Sequence, residues 1–68
     1  MKVLNRIKEI RREKQITQSE MSEILGVSRQ TIVAIENDKY NPSLELTLKI
    51  ARLFEMPVEE IFKLEDEV

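Results

Sequence analysis

Gly26 is the only glycine in this chain, and what flanks it narrows the possible folds more than any other feature. Before it, Thr17-Gln18-Ser19-Glu20 has the spacing of a capping box, in which Thr17 caps a helix start and Glu20 reaches back to the Thr17 amide. Met21, Ile24 and Leu25 follow at i, i+3 and i+4, so a two-turn helix buries one narrow face. At Gly26 the backbone can turn through the left-handed region at no Cβ cost. Ser28 then offers an N-cap oxygen to another helix, with Ile32 and Ile35 inward and Val27 anchoring the entry. The middle of the chain therefore reads as two short helices joined by a three-residue turn.

The flanks read as helices too. Val3, Ile7 and Ile10 share one stripe of a first helix over about 3–14, which ends near Gln15-Ile16. The cluster Asn37-Asp38-Lys39-Tyr40-Asn41-Pro42 stops the third helix, with Asn37 or Asn41 expected to take any left-handed conformation. Ser43 caps a fourth, LELTLKIARLF. Its opening alternation of Leu44, Leu46, Leu48 and Ile50 also suits a strand, but Ala51, Leu53 and Phe54 continue the apolar set out of phase. A helix apolar on most sides is a buried one, expected here to pack against both the bundle and a second subunit. Pro57, at a first helical position, opens a fifth helix with Glu59 and Glu60 in its first turn and Val58, Ile61 and Phe62 as its apolar face. The tail, 63–68, is either frayed or a short interface segment, and the dimer seam is expected to be formed by helix five and the tail, with helix four as a further contributor. The expected fold is all-α: one domain over 1–68, a compact five-helix bundle with its core over about 5–62 and a short C-terminal tail.

The chain has neither cysteine nor histidine, which removes disulfides, the usual structural zinc sites and most nucleophile–base pairs. No enzyme, cofactor or metal site is expected, and the acids at 59–60 and 65–67 read as solvated. No apolar run approaches the ~20 residues of a membrane span, and the N-terminus interleaves charges with apolar residues, unlike a signal peptide. A cytoplasmic protein without membrane contact is expected. Sixty-eight residues bury only a modest core, so a partner subunit is the expected extra source of stability. The net charge of −2 argues against a polyanionic partner, but its distribution does not. Residues 1–40 carry eight bases against six acids, and residues 41–68 three against seven, so one half suits an anion and the other faces elsewhere.

Two short helices with a tight turn form a helix-turn-helix unit, here over about 17–37. In such a unit the second helix enters the major groove of DNA with its N-terminal residues at base edges. If Ile32 and Ile35 point inward, Arg29, Gln30 and Val33 point outward, with Ala34 and Asn37 at the flank. Arginine can pair with guanine and glutamine with adenine, while valine and alanine can meet a thymine methyl. Gln18, at the start of the preceding helix, and Lys39, Tyr40 and Asn41, in the following loop, are placed to contact phosphates. Ser28 and Thr31 complete the candidate DNA-binding set, Thr31 serving equally to pack and cap.

The stretch NRIKEIRREKQITQSEMSEILGVSRQTIVAIENDKYNPSLELTLKIARLFEMPVEEIF resembles the phage-repressor/Cro family of XRE-type helix-turn-helix domains, over about residues 5–62. TQSEMSEILGVSRQTIVAIEN followed by NPSLELTLKIA is the specific part of the match. Within that family the chain is similar to small stand-alone dimeric repressors of the cytolysin-repressor kind. The resemblance implies a lambda-repressor-like five-helix domain that binds a palindrome as a homodimer. It puts Gln18, Arg29, Gln30, Val33 and Asn37 on family DNA-contact positions and pairs Arg11 with Glu36. Two positions depart from the pattern: Asp38 stands where glycine is common, and Met56 where a capping serine is frequent. The function expected is that of a sequence-specific transcriptional repressor whose partners are double-stranded DNA and a second copy, with no small-molecule ligand evident. The alternative is an antitoxin-like interaction module that neutralises a partner protein and binds its own operator.

Overall fold

A computed structural model describes residues 2–65, whose elements run β1 (Val3–Asn5), α1 (Ile7–Glu13), α2 (Gln18–Leu25), α3 (Arg29–Glu36), α4 (Leu44–Phe54), α5 (Val58–Ile61) and β2 (Phe62–Leu64). The starts of α2, α3 and α4 follow from local chemistry. Thr17, Ser28 and Ser43 each accept a hydrogen bond from the amide three residues on, in Glu20, Thr31 and Leu46. At α2 the capping box is complete, because the Thr17 amide donates to Glu20 Oε1 at 2.8 Å. That amide, and then the Thr17 hydroxyl, hold the Glu20 carboxyl below its ordinary value.

The ends of four helices share one closure. After α1, α2, α3 and α4 the chain passes through the left-handed region at Gln15, Gly26, Asp38 and Glu55, with φ of 58°, 73°, 57° and 55°. In each case the next residue's amide bonds back across the turn: Ile16 to the Arg11 carbonyl, Val27 to Ser22, Lys39 to Ala34 and Met56 to Ala51. This is the Schellman arrangement, which satisfies carbonyls a helix end leaves orphaned. Glycine adopts it freely, whereas the other three positions hold side chains in a conformation that costs about 1 kcal/mol or more. No atom lies within 4 Å of a Cβ added at Gly26, so Gly26→Ala is expected to lose about 1 kcal/mol through backbone strain alone. Glu55→Gly, at an exposed site of the same kind, should gain up to about 1 kcal/mol. Urea denaturation measures both, and equal signs for the two changes would refute the strain argument.

Ile7, Ile10, Met21, Leu25, Ile32, Ile35, Ile50, Phe54 and Ile61 form one hydrophobic cluster contributed by all five helices. At about 1.5–3 kcal/mol for each fully buried large side chain, this cluster supplies most of the drive to fold.

The structure corrects several expectations. The fold is not purely α-helical, because β1 and β2 pair antiparallel with Val3 opposite Leu64, Leu4 opposite Lys63 and Asn5 opposite Phe62. The first helix accordingly starts at Ile7 rather than Val3. Val3 and Leu4 serve a strand, since three residues are too few for periodicity to separate the two conformations. Phe62 belongs to β2 rather than to the fifth helix, and Lys63 and Leu64 of the expected tail are strand residues. Residues 66–68 of the tail lie outside the described residues. Pro57 caps α5 from an extended conformation instead of occupying its first turn. Neither Asn37 nor Asn41 takes the left-handed turn after α3, because the two Schellman bonds fall to residues 38 and 39. Ile24, expected on the buried stripe of α2, is 61% exposed, and its place against the core goes to Ser22, whose hydroxyl donates to the Ser19 carbonyl. Leu44 and Leu48 of α4 are exposed rather than buried.

Candidate nucleic-acid interface

Packing of Ile32 and Ile35 into the core, each 1% exposed, fixes which face α3 presents. Arg29 and Gln30 are exposed on the other side, and Val33 and Ala34 are half-buried. Together with Asn37 and Lys39 these residues line one open groove along α3. Six of the candidate residues are thus brought onto a single surface, polar and basic at its ends with an apolar floor of Val33 and Ala34.

A second depression crosses the start of α2 and is lined by Lys8, Arg11, Arg12, Thr17, Gln18, Ser19 and Arg29. Arg29 belongs to both and marks their junction. Its place is set by a chain of polar contacts that begins in the interior. Arg11 Nε lies 2.6 Å from Glu36 Oε2, with the two side chains 9% and 2% exposed. Arg11 Nη1 donates to the Ile16 carbonyl at 2.8 Å, just beyond the left-handed turn that ends α1. Gln18 Nε2 donates to Glu36 Oε1 at 3.1 Å, and Gln18 Oε1 accepts from Arg29 Nε at 3.3 Å. Because its amide nitrogen is committed to Glu36, Gln18 must present its oxygen to Arg29. The ion pair implied by the family resemblance is therefore present, and it does more than join α1 to α3: through Gln18 it orients the arginine at the head of the groove. Among the described residues no buried side-chain nitrogen or oxygen lacks a partner.

Tyr40 and Asn41 border a third depression beyond the end of α3, shared with Lys2, Val3, Asp38, Lys39 and Glu65. Lys39 spans this depression and the α3 groove. Ser28 and Thr31 line none of the three. Ser28 Oγ lies 2.9 Å from Thr31 Oγ1 and caps the Thr31 amide, so both hydroxyls are engaged at the start of α3. Sequence reasoning missed Lys8, Arg12 and Ser19 as neighbours of Gln18. Lys8 and Arg12 stand at i and i+4, one turn apart on α1, a signal visible in the sequence but indistinguishable there from an ordinary solvated face.

Among the described residues no group of acidic side chains is arranged to hold a metal ion, and no helix is long and apolar enough to cross a membrane. A Helix-turn-helix domain model matches residues 5–67. An uncharacterized helix-turn-helix-type transcriptional regulator of Methanocaldococcus jannaschii is 49% identical over 63 residues, covering 93% of this chain and 96% of that protein. The immunity repressor protein of Bacillus phage phi105 is 43% identical over 51 residues, which span 75% of this chain but 35% of the repressor. The crystal structure of a Bacteroides fragilis protein, provisionally described as DNA-binding, superposes with a TM-score of 0.81 at 34% identity, covering 90% of this chain and 98% of that one.

Proposed function

Because the chain belongs to the helix-turn-helix domain family, as the match over residues 5–67 establishes, we propose that it is a DNA-binding transcriptional repressor that reads a palindromic operator as a homodimer. The observation that carries this reading is the position of Arg29, tethered by Gln18 at 3.3 Å where the α3 groove meets the basic depression over α2. A base edge in the groove and a phosphate over the depression then lie on either side of one arginine. Gln30 sits beside it for an adenine, and Val33 and Ala34 form the floor that a thymine methyl would meet. Lys8, Arg12, Gln18, Lys39, Tyr40 and Asn41 contact backbone and set the register, while Ser28 and Thr31 support the start of the reading helix.

Two copies would place their α3 helices about one DNA turn, roughly 34 Å, apart. Helix α5 is a poor seam, since it is a single turn and its Ile61 is wholly buried in the monomer. Leu44 and Leu48, one turn apart on α4, are 75% and 54% exposed, which makes α4 the better candidate for the seam.

Selection of bound sites from random DNA tests the whole reading. A two-fold symmetric site is the expected result, with binding that weakens steeply as salt rises. Arg29→Ala should relax preference at one base position of each half-site, at a cost of about 1–3 kcal/mol. Identical selected-site profiles for variant and parent would overturn the assignment of Arg29, and salt-independent binding would overturn the DNA reading itself.

A further inference from the structure

Asp38 holds a left-handed turn with φ of 57°, as Gln15 and Glu55 do at 58° and 55°, but of the three it alone has a side-chain hydrogen bond among the described residues. Asn5 Nδ2 donates to Asp38 Oδ1 at 3.2 Å. The same nitrogen donates to the Ile35 carbonyl at 2.9 Å, and Asn5 Oδ1 accepts from the Ile7 amide at 3.1 Å. One carboxamide thus spends both hydrogens and one oxygen on three places: the start of α1, the last turn of α3 and the turn that follows it. Asparagine suits this task because it carries two donors and an acceptor on a short stem. Asn5 is itself fixed in β1 opposite Phe62 of β2.

What leaves this turn is the loop Lys39-Tyr40-Asn41, which begins at the α3 groove. The Lys39 amide closes the turn on the Ala34 carbonyl at 2.8 Å. A carboxylate at position 38, left free, would stand beside this loop and weaken any hold on phosphate. The Asn5 amide ties it to β1 and offsets part of that charge, while it still borders the depression shared with Lys39, Tyr40 and Asn41. We propose that Asn5 is a positioning residue for DNA binding: by clasping Asp38 it fixes the left-handed turn and the angle at which Lys39, Tyr40 and Asn41 leave α3 toward the DNA backbone. This inference rests on the reading of the α3 face as the DNA interface. It adds a role for the β1–β2 sheet, which anchors the clasp from outside the helix-turn-helix unit.

The test uses three variants of the full chain, each at a temperature where circular dichroism shows it folded. Asn5→Asp keeps the acceptor for Ile7 but loses both donors. Asp38→Ala removes the clasp together with the carboxylate, whose loss alone would strengthen the hold on phosphate. It leaves the Asn5 bonds to Ile7 and Ile35 in place, so weaker binding by this variant reports on the clasp even if the first variant folds poorly. The exchanged pair, Asn5→Asp with Asp38→Asn, rebuilds the bond between positions 5 and 38 with donor and acceptor reversed, though a carboxylate at position 5 cannot restore the bond to the Ile35 carbonyl. On the operator selected by the parent, each single variant should bind several-fold more weakly, with a slope of log affinity against log salt shallower by about one, the mark of one lost phosphate contact. The exchanged pair should recover both, an outcome that general loss of stability would not produce. Amide hydrogen exchange in the free protein reads the turn without DNA: the Lys39 amide should exchange faster in the single variants and recover in the exchanged pair. Folded single variants with the parental salt slope and the parental Lys39 exchange rate would overturn the proposal. A parent without salt-dependent binding would instead overturn the DNA reading, with the exchange rates still reporting on the clasp.

Discussion

Glu36→Ala is expected to lose about 3–5 kcal/mol of folding stability, because it strands the Arg11 guanidinium in the interior. Arg11 is 7% exposed as a whole residue, and its Nε and Nη2 both face the Glu36 carboxylate, at 2.6 and 3.4 Å. A chain of this length has about 3–10 kcal/mol in total, so the variant should lose about a third of its stability or more. The loss comes from an unpaired buried charge rather than from the net strength of the pair, which desolvation reduces. Arg11→Met combined with Glu36→Leu should therefore recover much of the stability, since it removes both charges and keeps the volume. Recovery should be incomplete, because the Ile16 carbonyl loses its Arg11 donor and Gln18 its acceptor. Urea denaturation of Arg11→Met, Glu36→Leu and the double variant supplies the cycle. A cost below about 1 kcal/mol for Glu36→Ala, the range of a solvent-exposed pair, would contradict the burial described here. The double variant should also separate fold from function: with Glu36 gone Gln18 is free to turn, so a folded double variant should bind DNA with weaker preference at the Arg29 position.

Phe54→Ala should cost about 3–5 kcal/mol by opening a cavity in the shared core. Phe54 is the largest of the fully buried side chains, at 1% exposure, and it carries α4 against the cluster that also seats α2 and α3. Its removal is expected to unfold the chain as one unit, so DNA binding and helicity should disappear at the same urea concentration. Leu48→Ala makes the contrast. Leu48 is apolar and on the same helix but 54% exposed, and surface substitutions usually change stability by no more than about 0.5 kcal/mol. If α4 is the dimer seam, that variant should keep its monomer fold while sedimentation shows weaker self-association. A destabilisation by Leu48→Ala comparable with that of Phe54→Ala would show that the sequence-level picture of an all-round buried α4 was the better one.

How much could be read in advance varies along the chain, and the reason is the range of the interactions. The capping box at Thr17 and Glu20, the serine caps at 28 and 43 and the left-handed Gly26 all depend on residues within about four positions of each other, and all were legible. The face of α3 was legible too, because Ile32 and Ile35 recur at helical spacing. Ile24 misled for the opposite reason. Its spacing from Met21 fits a buried stripe, but the neighbours of α2 in space face Ser22 instead, and no local pattern specifies them. The turn at Asp38 also escaped local reading. Asparagine is the better left-handed residue, yet the helix-end bonds select position 38, and Asn5 holds it from 33 residues away in sequence.

From the amino-acid sequence by itself, then, come the helix starts, the turn between α2 and α3, the outward set Arg29, Gln30 and Val33 and the membership of a DNA-binding family. Each is encoded by side chains that act on their own stretch of backbone. Only the tertiary structure decides that Val3–Asn5 pairs with Phe62–Leu64, that Arg6 Nη1 reaches the Glu60 carbonyl across 54 residues, and that the buried Arg11–Glu36 pair orients Arg29 through Gln18. Those contacts join segments far apart in the chain, and their partners are chosen by how nine buried side chains pack, a property of the assembled core that no single stretch contains.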